Sequence, residues 1–257
     1  MSDGEVTLLV RESVATVTLT RPDKLNAVTT EMTRQLSEQV HRINTDTEIR
    51  CVVLTGAGDR SFCVGSDLGE LNGYDGPWAF RHRQDYVDTV RRIRKPVLAA
   101  VNGYAFGGGL ELALACDIRL AARNATFAAA EIKLGWIGGS GQAYGLLHTV
   151  GPGNAARMLL TGDPVDAATA ERWGLVSEVL DADELPAATA SLAGTIARRP
   201  PIAAEVAKLN LRTAATQSAE QAIGYERDLQ AFCLTTRDAS EGRAAFAERR
   251  EPRFEGR

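Results

Sequence analysis

Two short, unbroken apolar segments constrain the fold of this 257-residue chain most strongly. Residues 51–55 read Cys-Val-Val-Leu-Thr and are followed by Gly-Ala-Gly, and residues 96–101 read Pro-Val-Leu-Ala-Ala-Val and are followed by Asn-Gly. A strand with one face in water alternates apolar and polar residues, whereas a strand covered on both faces is apolar throughout. The two segments therefore predict parallel strands inside an α/β core.

The rest of the first half alternates strand and helix signals. Residues 6–10 and 14–20 predict a β pair because β-branched residues dominate both. Apolar residues at spacings of three and four predict a helix over residues 29–45 that packs on the sheet, and a second helix over residues 78–93. One late strand is predicted at residues 177–180.

After residue 131 the periodicity is mainly helical. The predicted helices cover residues 142–149, 154–160, 167–173, 185–198, 203–215, 219–234 and 239–249. Pro200 and Pro201 stop the helix before them. We therefore expect a core with the active site over residues 1–199 and a helical C-terminal segment over residues 200–257.

Composition excludes several classes of function. There are 29 basic and 33 acidic residues, a net charge of −4, so we expect neither nucleic acid nor a membrane surface as partner. No apolar run approaches the ~20 residues that span a bilayer, and the N-terminus has no targeting signature, so a cytoplasmic location is expected. The four cysteines form no CxxC pair and there are only three histidines, so we expect reduced thiols and no metal.

Two glycine-containing turns follow buried strand signals. Residues 62–67 read Phe-Cys-Val-Gly-Ser-Asp and residues 106–111 read Phe-Gly-Gly-Gly-Leu-Glu, so each turn brings an acidic residue to the predicted start of a helix. Such turns can leave backbone N–H groups free at a helix N-terminus. Neither the Walker A nor the Rossmann phosphate pattern fits the second turn. A tight strand-to-helix crossing without function fits it equally well.

Glu111 lies about one turn inside a helix that is apolar nearly all round. Burial there raises the pKa of a carboxyl and the helix dipole lowers it, so the direction of the shift is open. The residues alone favour a structural cap modestly over a working acid or base. Glu131, which follows three alanines, fits a surface or capping glutamate better.

Several longer motifs occur in order along nearly the whole chain. They are Arg-Pro-Asp-Lys-Leu-Asn-Ala at 21–27, Ser-Phe-Cys-Val-Gly-Ser-Asp-Leu at 61–68, Asn-Gly-Tyr-Ala-Phe-Gly-Gly-Gly-Leu-Glu at 102–111, Ala-Cys-Asp-Ile at 115–118, and the segments 127–135, 168–176 and 241–254. Together they closely resemble the enoyl-CoA hydratase/isomerase (crotonase) family. The resemblance implies a crotonase-like spiral of ββα units with a helical C-terminal trimerisation segment, assembled as a homotrimer or a dimer of trimers.

The resemblance also implies a reaction and its residues. The backbone N–H groups of Ser66 and Gly108 correspond to the family's oxyanion hole, and Glu111 and Glu131 to its catalytic glutamates. Glu111 would position and deprotonate water, and Glu131 would protonate C2 of an enoyl-CoA. Coenzyme A is then part of the substrate, and no separate cofactor is expected. Because both glutamates are present, a hydratase is favoured over an isomerase. A specialised hydratase for branched, aromatic or polar acyl groups stays an alternative, and the glutamate pair and the net charge of −4 both oppose a non-catalytic RNA-binding or scaffold protein.

Further substrate contacts follow from the same resemblance. They are Lys24, Val64, Gly65, Asp67, Leu68, Trp136, Gln142, Tyr144 and Arg249. The chain departs from the family over residues 136–145, where a proline and Gly-Gly-Thr-Gln-Arg are usual. This loop borders the acyl end of the substrate in the family, so we expect a reshaped acyl pocket in which Gln142 or Tyr144 contacts a polar acyl group.

Overall fold

The structure, a computed structural model, describes residues 3–257 except for the side chain of Asn72. Two sheets form its centre. The strands, in chain order, are β1 Glu5–Arg11, β2 Val14–Thr20, β3 Cys51–Gly56, β4 Ser61–Cys63, β5 Val97–Val101, β6 Tyr104–Phe106, β7 Ile118–Ala122, β8 Thr126–Ala128, β9 Val165–Asp166 and β10 Glu178–Leu180. The larger sheet has the order β1-β2-β3-β5-β7-β10 and the smaller one β4-β6-β8-β9. Only the β1–β2 and β8–β9 pairs are antiparallel among the described strands.

Helices and short 3-10 turns connect and cover these strands. The helices are α1 Thr30–Thr45, α2 Gly76–Arg81, α3 Tyr86–Arg91, α4 Gly108–Ala115, α5 Gln142–Thr161, α6 Ala167–Arg172, α7 Leu185–Ala197, α8 Pro201–Ala214, α9 Ala219–Leu234 and α10 Arg237–Glu248. The 3-10 turns are Pro22–Lys24, Leu71–Gly73 and Ala130–Leu134. No helix within residues 3–257 is both long and apolar enough to cross a membrane.

The continuous apolar strands are covered on both faces. In β3, Val52 and Leu54 belong to the main core with residues of α1, α3 and α4, whereas Cys51 and Val53 pack in a second cluster under α7. β3 and β5 pair in parallel, with Val52 opposite Val97. The prediction of buried parallel strands is therefore confirmed, and its reason is the two-sided cover.

The predicted helix over residues 78–93 is wrong, because the structure has α2 and α3 there with a break between them. Asp85 ends the break with an extended backbone, and its carboxylate accepts hydrogen bonds from the N–H groups of Val87 at 2.8 Å and Asp88 at 3.1 Å. A side chain that caps a helix in this way starts a new helix rather than continuing the old one.

Three other expectations need correction. Residues 177–180 do not hold the one late strand, because Val165 and Asp166 pair antiparallel with β8. Asp67 does not begin a helix, since only a 3-10 turn follows it, at Leu71–Gly73. The segments 142–149 and 154–160 join into the kinked helix α5, whose bend is at Gly151 with φ 77°. The division at residue 200 coincides with the start of α8 and stays a prediction as a domain boundary.

Candidate active site

A cavity of about 640 Å³ opens where the ends of the smaller sheet meet α3 and α4. The lining comes from both glycine turns, from the 3-10 turn Ala130–Leu134 and from the loop over residues 136–140. It includes Glu111 and Glu131 together with Ser66 and Gly108. Residues that are 65 positions apart in the chain therefore share one surface.

The two glycine turns touch each other at the cavity wall. Gly65 has φ 96°, and a Cβ there would lie 3.0 Å from the nitrogen of Gly108, so both its conformation and the close approach require glycine. Around Ser66, the N–H of Val28 donates to the carbonyl of Gly65 and the N–H of Asp67 donates to the carbonyl of Val28. The N–H groups of Ser66 and Gly108 have no acceptor among the residues that the structure describes. Two unpaired main-chain donors are thus held side by side.

Tyr86, which the sequence did not indicate, completes this part of the wall. Its hydroxyl oxygen lies 3.2 Å from Oγ of Ser66, and a Cβ on Gly108 would overlap that hydroxyl. The side chain is buried, and burial raises its pKa well above the ordinary value. Tyr86 therefore stays neutral and fixes the spacing of the two turns.

Glu111 is the fourth residue of α4 and is only 4 % exposed. Burial raises the pKa of its carboxyl to about 7, and the nearby charges of Glu131 and Asp85 act in the same direction. The N–H of Ser140, 2.7 Å from Oε1, opposes the shift. The effect of burial on the pKa is larger than the opposing effect of the hydrogen bonds, so the carboxyl of Glu111 can gain or lose a proton near neutral pH.

Glu131 lies in the 3-10 turn Ala130–Leu134 and is half-buried. The side-chain amide of Gln142 donates to both of its carboxylate oxygens, at 3.1 and 3.0 Å. The main-chain N–H of Gln142 also stabilises the ionised form of Glu111. Gln142 at the start of α5 therefore binds both carboxylates and sets their relative position.

Ser140 connects Glu111 to a second set of polar groups that the sequence also did not indicate. While its N–H binds Glu111, its hydroxyl donates to Asp85 Oδ2 at 2.7 Å and its carbonyl accepts from the guanidinium of Arg91. Asp85 also binds Arg83. The capping pattern of Asp85 was readable in the sequence, but its contact with Ser140 joins positions 55 residues apart and depends on the tertiary fold.

Five of the other expected substrate contacts line a cavity. Val64, Gly65, Leu68 and Trp136 line the cavity. Asp67 lines a neighbouring cavity of about 150 Å³ instead, where the hydrogen bond from Arg21 holds the pKa of its carboxyl below the usual range.

Three expected contacts lie away from both cavities. Tyr144 is 52 % exposed and packs on the ring of His148, with the centroids 4.4 Å apart. Lys24 is exposed in the turn Pro22–Lys24, and Arg249 is exposed at the end of α10. None of the three lines the described part of the active-site cavity, and their roles toward the substrate stay predictions.

Comparisons with known proteins identify the family. The family model described as enoyl-CoA hydratase/isomerase matches residues 10–257. The chain is 39 % identical to (E)-benzylidenesuccinyl-CoA hydratase of Thauera aromatica, over 98 % of this chain and 99 % of the relative. It is 36 % identical to 1,2-epoxyphenylacetyl-CoA isomerase of Escherichia coli K12, over 96 % of this chain and 97 % of the relative.

Solved structures give the same result for the fold. The crystal structure of an enoyl-CoA hydratase from Bacillus anthracis superimposes with a TM-score of 0.90 at 32 % identity, over 100 % of both chains. The two mixed sheets and the C-terminal helices described above are therefore the crotonase fold. The chain belongs, over its full length, to the enoyl-CoA hydratase/isomerase (crotonase) family.

Proposed function

We propose that this enzyme is an enoyl-CoA hydratase, which adds water reversibly to the C2=C3 double bond of a trans-2-enoyl-CoA. One observation carries the proposal: two unpaired backbone N–H groups and two carboxyl groups line the same cavity. The first pair suits a carbonyl that becomes negatively charged. The two carboxyl groups suit a hydration reaction, in which water loses one proton and carbon C2 of the substrate gains another.

The proposed oxyanion hole consists of the N–H groups of Ser66 and Gly108. Main-chain donors are fixed by the fold, so they need not reorganise as charge develops on the thioester oxygen. A missing donor of this kind costs roughly 10²–10³ in kcat in other enzymes. Ser66 contributes its backbone, which explains why the family's more usual alanine can be replaced here.

The proton transfers follow from the two carboxyl groups. Glu111 accepts a proton from water as the water oxygen bonds to C3, and the electron pair of the double bond moves toward the thioester oxygen as an enolate. Glu131 donates a proton to C2 as the enolate collapses. Atoms and charge balance, because the two protons of one water are divided between Glu111 and the product hydroxyl, and a later proton exchange restores both carboxyls.

The proposed substrate is an acyl-CoA thioester, with coenzyme A as part of the substrate. Val64, Gly65 and Leu68 form the wall beside the oxyanion hole, and Trp136 lies on the loop after Glu131. This arrangement leaves the loop over residues 136–140 and α2–α3 to surround the acyl group.

The experiment is hydration of crotonyl-CoA, followed by the loss of enoyl absorbance. Glu111→Gln and Glu131→Gln should each lower kcat by at least ~10², because glutamine keeps the size and hydrogen bonds of the side chain but cannot exchange a proton. Glu48→Gln, at an exposed position, is the matched control and should leave kcat unchanged. Near wild-type turnover by either active-site variant would refute the proposed roles.

An isomerase is the second candidate, because one relative at 36 % identity is named an isomerase. The same oxyanion hole would stabilise a dienolate, and a single carboxyl would carry the proton between carbons. Double-bond migration and hydration measured on the same enoyl-CoA separate the two functions. A hydratase forms 3-hydroxyacyl-CoA as its main product.

A further inference from the structure

The wall of the active-site cavity contains one basic side chain among the residues that the structure describes. Among the described residues that line it, Arg83 is the only lysine or arginine, and most of its neighbours there are apolar or aromatic. The segment between α2 and α3 places Arg83 at this wall. Asp85 pairs with Arg83, and the carboxyl group of Glu111 lies near Asp85.

The guanidinium group of Arg83 is held rigidly. It lies over the ring of Phe80, with Cζ 4.1 Å from the ring centroid, and Nη1 donates to the carbonyl of Phe80 at 2.9 Å. Nη2 donates to Asp85 Oδ2 at 3.0 Å, and the side chain is 19 % exposed. An arginine that is already ordered loses little conformational entropy when it binds an anion.

Arg83 also retains donors for a second anion. Its two recorded bonds use one N–H on each terminal nitrogen, and no acceptor for Nε is recorded within residues 3–257. Asp85 does not depend on Arg83, because it also accepts from Val87 N–H, Asp88 N–H and the hydroxyl of Ser140. A second carboxylate can therefore bind the guanidinium of Arg83 while Asp85 keeps its other hydrogen-bond donors.

The position of Arg83 relative to the reaction is defined by hydrogen bonds. Arg83 binds Asp85, Asp85 binds Ser140, and Ser140 binds Glu111, which acts at C3 in the proposed reaction. Tyr86, three residues after Arg83, reaches the oxyanion hole at Ser66. Arg83 therefore lies in the wall of the cavity that also contains the proposed reacting groups.

We propose that Arg83 is a specificity-determining residue that binds a second carboxylate, carried by the acyl group of the substrate. Without Arg83, the described residues that line the cavity would offer an anionic acyl group no cation to pair with. A planar guanidinium matches a carboxylate better than an ammonium does. This inference rests on the proposed hydratase function and adds the class of substrate, a dicarboxylic enoyl-CoA.

The test compares trans-2-hexenedioyl-CoA with trans-2-hexenoyl-CoA, which has the same chain length and no second carboxylate. We expect the wild-type enzyme to hydrate the dicarboxylic substrate with a kcat/KM at least ~10-fold higher, and Arg83→Gln to lower that kcat/KM by ~10², mainly through KM. Arg83→Gln should lower kcat/KM for the dicarboxylic substrate at least ~10-fold more than it lowers kcat/KM for crotonyl-CoA. Arg81→Gln, at an exposed position in the same segment, is the matched control.

Two outcomes would overturn the inference and leave the hydratase intact. One is a wild-type enzyme that hydrates the monocarboxylic substrates and not the dicarboxylic one. The other is an equal loss on all substrates in Arg83→Gln, which would mean that Arg83 acts only through Asp85 and Ser140 on Glu111.

A binding measurement keeps the test independent of turnover. Calorimetry with the saturated analogues adipyl-CoA and hexanoyl-CoA should show tighter binding of adipyl-CoA, and Arg83→Gln should remove the difference. If no enoyl-CoA is hydrated but this difference is found, the proposed reaction fails while the carboxylate site stands. Equal binding of both analogues to the wild type would refute the site.

Discussion

At the scale of single residues, the buried acid Glu111 couples activity to stability. Its pKa is raised to about 7 in the folded protein, whereas the same group in an unfolded chain has its ordinary value near 4.5. Between these two values the folded state keeps a proton that the unfolded state has lost. The resulting stabilisation is fully present below about pH 4.5 and is lost as the pH rises through about 7.

The first prediction follows from this sign. Glu111→Gln mimics the protonated side chain, so its free energy of unfolding relative to wild type should increase between pH 5 and pH 8, by up to about 3 kcal/mol. Urea unfolding of both proteins at several pH values measures the difference, in which all other titrating groups cancel. A difference that is constant over this range would contradict the raised pKa of Glu111.

The second prediction at this scale concerns the unusual loop and α5. The structure places the Gln142 amide on Glu131, so Gln142→Ala should lower kcat by a similar factor of ~10 or more on every acyl chain. Tyr144→Phe, on the exposed side of the same helix, is the control and should have no effect. A selective loss on one polar substrate would instead restore the expectation that Gln142 contacts the acyl group.

At the scale of elements, a buried ion pair fastens α8 to the larger sheet. The ammonium of Lys208 lies 2.7 Å from Asp117 Oδ2 and donates to the carbonyl of Lys95, also at 2.7 Å. Asp117 accepts from the N–H of Val97 as well, so the pair joins α8 to the start of β5. Burial lowers the pKa of Lys208 and the attraction of Asp117 opposes that shift.

Breaking this pair should therefore loosen the attachment of α8. We expect Lys208→Met to lower the free energy of unfolding by about 2–3 kcal/mol, because Asp117 then keeps only the longer contact with Arg212, at 3.6 Å, and the N–H of Val97. Lys133→Met removes an exposed pair with Asp163 and should cost less than ~1 kcal/mol. In a double-mutant cycle, adding Asp117→Asn to Lys208→Met should recover part of the loss, and purely additive effects would refute the coupling.

At the scale of the whole molecule, the C-terminal helices expose several large apolar side chains that the single chain does not bury. The exposed large side chains on α8, α9 and α10 are Leu209, Leu211, Ile223, Phe232, Leu234 and Phe246, the last of them 88 % exposed. No residue of α9 is buried in the described chain. A helix gains most of its stability from packing one apolar face, and in the monomer α9 covers its apolar residues only partly, against α8 and α10.

We propose that a second and a third copy of this chain supply that surface, in a trimer or a dimer of trimers. Sedimentation at micromolar concentration should show such an assembly. Phe232→Glu or Leu234→Asp should shift it toward the monomer, whereas Leu9→Asp, an exposed leucine on β1, is the matched control and should not. A wild-type protein that sediments only as a monomer would refute the proposal.

How much of the molecule its sequence predicts depends on the range of the interactions. Local patterns were sufficient for the buried strands β3 and β5, for α1 and for most of the later helices, because burial on one or both faces leaves a direct trace in the order of apolar residues. The same patterns failed at residues 78–93. There the apolar residues continue at helical spacing although the Asp85 cap divides the helix in two.

The short strands β4, β6, β8 and β9 left no such trace. They have two or three residues each, too few for a period to be visible, and they form because the larger sheet and its connections bring their backbones together. The turns at Gly65 and Gly108 follow the carboxyl ends of β4 and β6. The position of the proposed oxyanion hole is therefore decided by the tertiary structure.

Motifs and apolar periods are local properties of the chain, so they were sufficient to predict the α/β class, the family, and Glu111, Glu131, Ser66 and Gly108 as candidate site residues. The pKa of Glu111 and the contacts that hold these groups depend on how distant segments pack. Solvent exclusion around Glu111 raises its pKa, and Tyr86, Ser140, Asp85 and Arg83 reach the site through contacts between distant segments. Burial and hydrogen bonding depend on which surfaces meet, and no local pattern of residues records that.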